Sequence, residues 1–299
     1  MGLKGPDLPI FRQEGTAEGP VPRILAKETL APEVVRFWID APAIARKRKP
    51  GQFVIIRTDE TGERIPLTIA DADPEQGAIS LIVQAVGKST HKLNRLEPGD
   101  TILDVAGPLG QPTNIQPSMR VCCIGGGIGT AVVYPIAMGV KALGGSVAGV
   151  IGARTRDLII LEREMSAACD RCLVFTDDGS YGHKGLVTDA LQMLLTEGEE
   201  FDEVFAIGPL PMMRAVCEMT RPLCLKTIVS LNPIMVDGTG MCGGCRVTIG
   251  GEQKFVCVDG PEFDGHLVDF AEVAARLRAY REDEAAAMDR YRAEVASHG

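Results

Sequence analysis

The sequence predicts a β-barrel, then an α/β domain with a doubly wound parallel sheet, then a small cysteine-containing subdomain. Residues 23–117 contain short alternating strands separated by turns with Pro and Gly, a spacing typical of a closed antiparallel barrel. From residue 118 to 230, strands and helices alternate, which indicates a parallel sheet with helices on both faces. Residues 231–268 carry three cysteines in a glycine-rich run and form the third unit.

The two ends of the chain differ in composition. Residues 1–22 contain several Pro and Gly and no apolar core of a secretory signal, so we interpret them as a tail that is mobile or docks a partner. Residues 269–299 are rich in Ala, Glu and Arg at helical spacing and predict a C-terminal helix. This helix is a second candidate for docking a partner.

The composition excludes several classes of protein. The net charge is −9 and no basic stripe is present, so nucleic acid is not an expected partner. No apolar run reaches the roughly 18 residues of a membrane span. Nine cysteines are an odd count and do not suggest a disulfide scaffold, so we expect a reducing, cytoplasmic location. Cys169 and Cys172 form a C-x-x-C that fits a redox or metal site, although structural thiols are favoured.

The stretch IGGGIGTA lies between a predicted strand and a predicted helix. Its glycines permit a tight turn and let a pyrophosphate approach the backbone N–H groups at the start of the helix. A simple tight turn is the alternative, because the spacing departs from G-x-G-x-x-G and no acidic residue ends the second strand. Arg154 and Arg156 follow that strand instead, and they fit either a 2′-phosphate or solvated surface charges.

Asp237, Cys242, Cys245 and Cys257 have the spacing of a plant-type [2Fe–2S] loop, with aspartate in the first position. Glycines between them allow the unusual backbone angles of a loop that wraps a cluster. A structural zinc site is the alternative, but zinc usually takes two similar pairs of ligands. Asp259 is a rival oxygen ligand, although it lies only two residues after Cys257.

Together these units resemble the ferredoxin–NADP reductase superfamily over residues 23 to about 270. The resemblance is closest to the small (alpha) subunits of NADH-dependent reduced ferredoxin:NADP oxidoreductase and of sulfide dehydrogenase, which are related to the electron-transfer subunit of dihydroorotate dehydrogenase. The segment SLNPIMVDGTGMCGGCRV, residues 230–247, carries it most specifically. In the dihydroorotate branch the position of Asp237 is usually cysteine, so the aspartate favours the first two relatives.

The resemblance implies which residues bind the cofactors. In the barrel, Arg64 would pair with the diphosphate of FAD, Leu67 would pack near the ring system and the Thr68 hydroxyl would approach N5. The full set implied for the flavin is Arg64, Pro66, Leu67, Thr68, Gly87, Lys88, Ser89 and Thr90. The set implied for NAD(H) or NADP(H) is Gly125, Gly126, Gly127, Ile128, Gly129, Gly208, Pro209 and Met212. The turn Asp177, Asp178 and Gly179 fits either this site or a solvated surface.

The resemblance further implies an electron-transfer flavoprotein subunit that works with a larger partner subunit carrying flavin and iron–sulfur clusters. Hydride would pass between NAD(H) and FAD, and single electrons would pass through the [2Fe–2S] cluster. Some such complexes bifurcate electrons, and ferredoxin would be reached through the partner. The alternatives are an electron-transfer subunit of a dihydroorotate or sulfide dehydrogenase, and a zinc-stabilised binding module. No side chain is assigned as a catalytic acid or base, because hydride transfer needs none.

Overall fold

The computed structural model of the protein describes residues 21–298, so the predicted N-terminal tail lies almost entirely outside the described residues. Within them, an antiparallel barrel precedes a mostly parallel sheet, and a small C-terminal region follows. These architectures are the ones that the sequence predicts. No helix between residues 21 and 298 combines the length and the apolar character that crossing a bilayer requires.

The barrel consists of six antiparallel strands. Its elements are β1 (Ile24–Ala31), β2 (Val34–Asp40), α1 (Pro42–Lys47), β3 (Phe53–Arg57), β4 (Ile65–Asp73), β5 (Ala78–Gln84), α2 (Lys88–Asn94) and β6 (Asp104–Leu109). The strand order is β1-β2-β5-β4-β3-β6. A bridge between Arg23 and Thr101 brings the first and last strands together at one end. Alternate residues such as Phe37, Ile56 and Leu81 fill the interior, as the pleat of a strand requires.

The second sheet contains the segments that the sequence predicts to bind the nicotinamide dinucleotide. The remaining elements are β7 (Arg120–Gly126), α3 (Thr130–Ala142), β8 (Ser146–Ala153), α4 (Glu162–Ala168), β9 (Arg171–Thr176), β10 (His183–Lys184), α5 (Val187–Thr196), β11 (Glu203–Ile207), α6 (Leu210–Thr220), β12 (Thr227–Ser230), β13 (Arg246–Ile249), β14 (Glu252–Phe255), α7 (Val256–Asp259), β15 (Glu262–Asp264), α8 (Phe270–Arg276) and α9 (Arg281–His298). The sheet order is β10-β9-β8-β7-β11-β12-β15, and only β15 runs antiparallel to its neighbour. Strands such as β7 and β11 are buried almost throughout, because helices cover both faces.

The C-terminal segment forms two helices where the sequence predicts one. Asp269 caps α8 by accepting hydrogen bonds from the N–H groups of Ala271 and Glu272. After a turn, α9 lies against the barrel at α2, and Arg95 stands 5.7 Å from the centre of the buried Tyr291 ring. The rest of α9 is exposed and charged, so one face of this helix belongs to the barrel and the other faces outward.

Strand β15 connects the C-terminal region with the predicted cluster ligands to both of the larger domains. Its Glu262 pairs with Ser230 of β12, and the Thr113 hydroxyl, which follows the barrel, donates a hydrogen bond of 2.8 Å to the Glu262 carboxyl group. Burial raises the pKa of Glu262 to about 7, and the nearby Glu203 acts in the same direction. The Glu262 carboxyl group therefore stays protonated at pH values well above the ordinary pKa of a glutamate.

This raised pKa predicts a loss of stability as the pH rises. The folded state holds the Glu262 proton up to about pH 7, whereas the unfolded chain releases it near 4.5, so the contribution is complete below 4.5 and lost as the pH passes 7. We expect wild type to lose about 2 kcal/mol relative to Glu262→Gln between pH 5 and pH 8. Urea denaturation at both values measures this, with the exposed Glu75→Gln as the matched control. An equal decline in wild type and Glu262→Gln would contradict the assignment.

Candidate functional site

The predicted flavin strand β4 presents two of its residues to the outside of the barrel. Pro66 lies opposite Ile55, and Thr68 lies opposite Phe53. Because side chains alternate along a strand, Pro66 and Thr68 share one face, and the intervening Leu67 lies on the other. Leu67 indeed packs against the core of the barrel. Thr68 thus lies on the outer face of the barrel, whereas Leu67, which was predicted to pack near the flavin ring system, lies on the opposite side of the strand because side chains alternate.

The two predicted flavin segments meet at the start of β4. The Ser89 hydroxyl donates a hydrogen bond of 2.9 Å to the Glu63 carboxylate, directly before Arg64. Arg64 lies 3.6 Å from Asp104 in a half-exposed ion pair. Since exposed ion pairs contribute little, this guanidinium can exchange Asp104 for a phosphate without a large penalty. The arrangement fits a diphosphate held between β4 and the Gly87–Thr90 segment.

The predicted nucleotide loop packs directly against the segment that follows β11. A Cβ atom added to Gly129 would lie 2.0 Å from the carbonyl oxygen of Ile207. A Cβ atom on Gly126 would lie 2.3 Å from Met212 Sδ and 3.1 Å from Pro209 Cδ. The backbone approach at Gly129 requires glycine, and both contacts bring together the two segments predicted for the nicotinamide dinucleotide, IGGGIGTA and GPLPMM.

The outer side of the same loop is open. Gly127 has a φ of +55°, and nothing lies within 4 Å of the position that its Cβ would occupy. Ile128 is half-buried beside it, in the short 3-10 turn that leads into α3. The Thr130 hydroxyl is buried at the start of α3 and has no hydrogen-bond partner. An open glycine turn, the amino end of a long helix and an unpartnered hydroxyl together fit a pyrophosphate.

Two of the three predicted thiol ligands form a close, buried pair. Cys245 Sγ and Cys257 Sγ are 3.3 Å apart, and the two residues are 1% and 2% exposed. Burial, together with the neighbouring Cys245 thiol, raises the pKa of Cys257 to about 12. Metal ions bind thiolates, so loading this pair releases protons.

The other two predicted ligands form a second pair in the exposed part of the loop. The Asp237 carboxylate accepts hydrogen bonds from the N–H groups of Thr239, at 3.0 Å, and Cys242, at 2.8 Å. The hydrogen bond from Thr239 is the main cause that lowers the pKa of Asp237, so the group is an anion at neutral pH. Asp259 instead accepts a hydrogen bond from the N–H of Phe255, the residue before α7. Of the two candidate carboxylates, Asp237 is the one that bonds the backbone of a predicted cysteine ligand.

The four groups form two pairs and do not surround one point. Within residues 21–298, no three His, Cys, Asp or Glu side chains are arranged to hold a single ion. A tetrahedral zinc site needs four donors around one metal, whereas a [2Fe–2S] cluster needs two donors for each of two irons. Gly238, Gly240 and Gly243 all have positive φ values, which give the loop the wide turn that such a cluster requires.

The thiol pair shares one packed core with β3, the strand that pairs with β4. Phe53 and Ile55, which lie opposite Thr68 and Pro66, share a hydrophobic core with Cys245 and Cys257. A Cβ atom on Gly238 would lie only 3.0 Å from Ile55 Cγ1, so the cluster loop touches the strand beside β4. The loop of residues 237–245 and the face of the barrel predicted to bind the flavin are therefore neighbours.

Two segments that the sequence left open have structural roles. Asp178 accepts hydrogen bonds from the N–H and the hydroxyl of Ser180, which forms a turn after β9. Arg156 lies 5.3 Å from the ring of Tyr181 and its N–H bonds Ser180, so the turn and this arginine support each other. In the C-x-x-C, burial raises the pKa of both Cys169 and Cys172, which fits structural thiols.

The structure adds site residues that the sequence did not single out. Glu63 and Asp104 contact Ser89 and Arg64 through strand pairing and loop packing, so no local pattern marks them. Thr130 directly follows the glycine loop. Its position at the start of α3 was the signal that could have identified it as a candidate site residue.

Comparison with known proteins matches two parts of this chain to family models. Residues 23–113 match the oxidoreductase FAD-binding domain, and residues 232–269 match the iron–sulfur cluster binding domain of dihydroorotate dehydrogenase B. A Thermotoga maritima protein named as a homolog of the electron transfer subunit of dihydroorotate dehydrogenase B is 50% identical over 268 residues, which cover 90% of this chain and 94% of the relative. The chain belongs to this family of electron-transfer subunits, within the ferredoxin–NADP reductase superfamily.

Further members of the superfamily agree with this assignment. The dihydroorotate dehydrogenase B electron transfer subunit of Geobacillus thermodenitrificans is 35% identical over 249 residues, covering 80% of this chain and 94% of the relative. A chain from a solved structure of NADH-dependent reduced ferredoxin–NADP oxidoreductase is 46% identical, with a TM-score of 0.87 over 92% of this chain and 99% of that chain. The family assignment replaces the alternative of a zinc-stabilised binding module with an FAD-binding and iron–sulfur-binding electron-transfer subunit.

Proposed function

We propose that this chain exchanges hydride between NAD(H) and FAD, and passes single electrons through a [2Fe–2S] cluster to or from a larger flavin and iron–sulfur subunit. One observation carries the proposal. Phe53 and Ile55 of β3 share a hydrophobic core with Cys245 and Cys257, and Phe53 lies opposite Thr68. When bound, the flavin supplies the conversion between two-electron and one-electron transfer, and the cluster supplies a one-electron carrier. The chain's own residues supply binding and position.

Each predicted segment has a defined task in this proposal. The open turn at Gly127 and the N–H groups at the start of α3 hold the pyrophosphate of the dinucleotide. Arg64 would hold the flavin diphosphate, and Thr68 would contact the ring from the outer face of β4. Asp237 and Cys242 would hold one iron, and Cys245 and Cys257 would hold the other. No group needs to take a proton from the substrate, because the transferred species is a hydride.

The surface around the cluster loop supports a partner subunit. Met241 is 90% exposed at the tip of the loop, and the apolar side chains of Ile234, Val236 and Val258 are also exposed nearby. Exposed apolar groups at the edge of a redox site are typical of an interface. The partner would dock here, where electrons leave the cluster by the shortest path. Bifurcation, if the complex performs it, is a property of the two subunits together.

The direct test is anaerobic titration of the purified chain with NADH and NADPH. We expect the flavin and iron–sulfur absorbance to bleach together, and diaphorase rates to differ between the two nucleotides. The same sample is assayed for flavin, iron and acid-labile sulfide. A chain that binds FAD and iron but is reduced by neither nucleotide would refute the hydride-exchange part of the proposal.

A second candidate is the electron-transfer subunit of a dihydroorotate or sulfide dehydrogenase. The match of residues 232–269 to the dihydroorotate dehydrogenase B family favours it. The larger subunit that copurifies from the native source separates the two candidates, because only one of them reduces NADP through that subunit.

The Asp237 carboxylate provides a second test. We expect Asp237→Cys to keep its iron and sulfide and to move the cluster potential by about 60 mV or more, a tenfold change in a one-electron equilibrium, because thiolate is a softer and more electron-donating ligand. Asp259→Asn is the matched control, since the Asp259 carboxylate bonds the N–H of Phe255, and the cluster potential of this variant should equal that of wild type. A redox titration followed by electron paramagnetic resonance measures both. An unchanged potential in Asp237→Cys would remove Asp237 from the ligand set.

A further inference from the structure

Helix α2 links the predicted flavin segment to the C-terminal helix α9. The first residues of α2 belong to the segment Gly87–Thr90, and the helix packs against α9. It has seven residues, of which Leu93 is the buried one. Helices shorter than about 12 residues are only marginally stable by themselves in water, so the position of α2 depends on contacts with the rest of the chain. These contacts also determine where the flavin segment lies.

The amino end of α2 is joined to the flavin segment by hydrogen bonds. The Thr90 hydroxyl oxygen accepts a hydrogen bond from the N–H of Val86, at 2.9 Å, and another from the N–H of Gly87, at 3.0 Å. The neighbouring Ser89 bonds Glu63 at the start of β4. A displacement of α2 therefore also displaces the groups predicted to hold the flavin diphosphate.

The carboxyl end of α2 is held on two sides. On the side of the barrel, the side-chain N–H groups of Asn94 donate to the carbonyl oxygens of Glu33, at 3.2 Å, and Val83, at 3.3 Å. These distances are at the long end of the range for hydrogen bonds. On the side of α9, the Arg95 guanidinium lies 5.7 Å from the centre of the Tyr291 ring. A contact with α9 thus supplements weak hydrogen bonds to the barrel.

Helix α9 has one narrow apolar stripe with which to make this contact. Tyr291 is 9% exposed, and it is the one fully buried side chain between residues 281 and 297. Met288 and Val295 are half-buried, and their spacing of three and four residues from Tyr291 places them on the same face of the helix. Most other side chains of α9 are exposed, so Tyr291 is its main attachment.

The ring of Tyr291, and not its hydroxyl, provides the attachment. The hydroxyl is buried and has no hydrogen-bond partner among the described residues. The ring, by contrast, presents a face to the Arg95 guanidinium, and such a face attracts a cation. A phenylalanine at this position would supply the same ring and the same face.

We propose that α9, through Tyr291, positions α2 and so determines how tightly the chain retains FAD. Tyr291 is a positioning residue, because it acts through Arg95 and α2 and not on the flavin itself. The inference rests on the proposed flavin site at Arg64 and Gly87–Thr90. The predicted cluster ligands and the glycine loop IGGGIGTA lie on other elements, so iron content and the KM for NADH should not depend on Tyr291.

The test is the rate at which the holoprotein releases FAD after dilution, followed by the recovery of flavin fluorescence. We expect Tyr291→Ala, and a chain that ends at Tyr280, to release FAD about fivefold faster than wild type or more, because α2 loses the cation–π contact and the apolar stripe. Tyr291→Phe should release FAD at the wild-type rate. With excess FAD, the diaphorase kcat of Tyr291→Ala should return to that of wild type, since the defect lies in retention of the flavin.

Two controls separate this effect from a general loss of stability. Arg290→Ala changes the exposed neighbour of Tyr291 and should behave as wild type. Leu194→Ala removes a buried side chain of α5, in the other domain, and should lower the melting temperature without faster FAD release. If Leu194→Ala released FAD as fast as Tyr291→Ala, or if Tyr291→Ala retained FAD as wild type does, the inference would be refuted while the flavin site stood. A wild-type chain that bound no FAD would overturn the proposed function and the inference together.

Discussion

Cys245→Ser is expected to purify with its flavin but with almost no iron or acid-labile sulfide. Cys245 is buried in the core that joins the cluster loop to the barrel, and its Sγ lies 3.3 Å from that of Cys257. The N–H of Cys257 also donates to this sulfur, at 3.4 Å. A serine hydroxyl is a much harder and less acidic ligand, so one iron of the proposed pair loses half of its protein ligands. Flavin, iron and sulfide assays of one sample measure the outcome.

The control for this experiment is another thiol of the same chain. Cys224 is exposed and follows the short 3-10 turn after α6, outside the cluster loop. Cys224→Ser should keep wild-type iron and sulfide. If Cys245→Ser also retained its full iron content, or if Cys224→Ser lost it to the same extent, the proposed ligand set would be wrong. Retention of flavin by Cys245→Ser separates loss of the cluster from loss of the fold.

Local patterns were sufficient to predict the architecture. Alternation with Pro and Gly turns predicted the barrel, and buried runs between amphipathic segments predicted the parallel sheet, because these signals depend on neighbours along the chain. Strand β15 was not predicted, since three residues that complete a sheet from a distant segment carry no periodicity of their own. The turn that divides α8 from α9 was missed for a similar reason: Ala, Glu and Arg continue at helical spacing through it.

In the candidate site, too, the sequence predicted what depends on neighbours along the chain and missed contacts between distant segments. Spacing alone identified the four candidate cluster ligands, and the glycine loop was visible beside its helix. The partners Asp104 and Glu63, and the face on which Leu67 lies, depend on strand register, which the sequence does not state. The contact of the Thr113 hydroxyl with Glu262 arises only when the segment after the barrel packs against β15. Such a feature has no signature in a linear pattern.

Gly127→Asp is expected to raise the KM for NADH about tenfold or more, with little change in kcat. The loop turns outward at Gly127, with a φ of +55° and open space where a side chain would begin. Asparagine and aspartate both tolerate this backbone region better than other residues, so Gly127→Asn controls for side-chain size and strain. Only the aspartate adds a negative charge toward the proposed pyrophosphate. Tenfold corresponds to about 1.4 kcal/mol of lost binding.

Steady-state diaphorase kinetics at low and high salt decide between charge and shape. If the loop binds a pyrophosphate, the difference between Gly127→Asp and Gly127→Asn should shrink as salt rises, because the repulsion is screened over about 10 Å at 0.1 M. Flavin content, iron content and melting temperature should match between the two variants. Equal KM values in the two variants at low salt would mean that the loop does not face the charged part of the dinucleotide. A lower kcat with an unchanged KM would place the loop's role in the transition state and not in uniform binding of the cofactor.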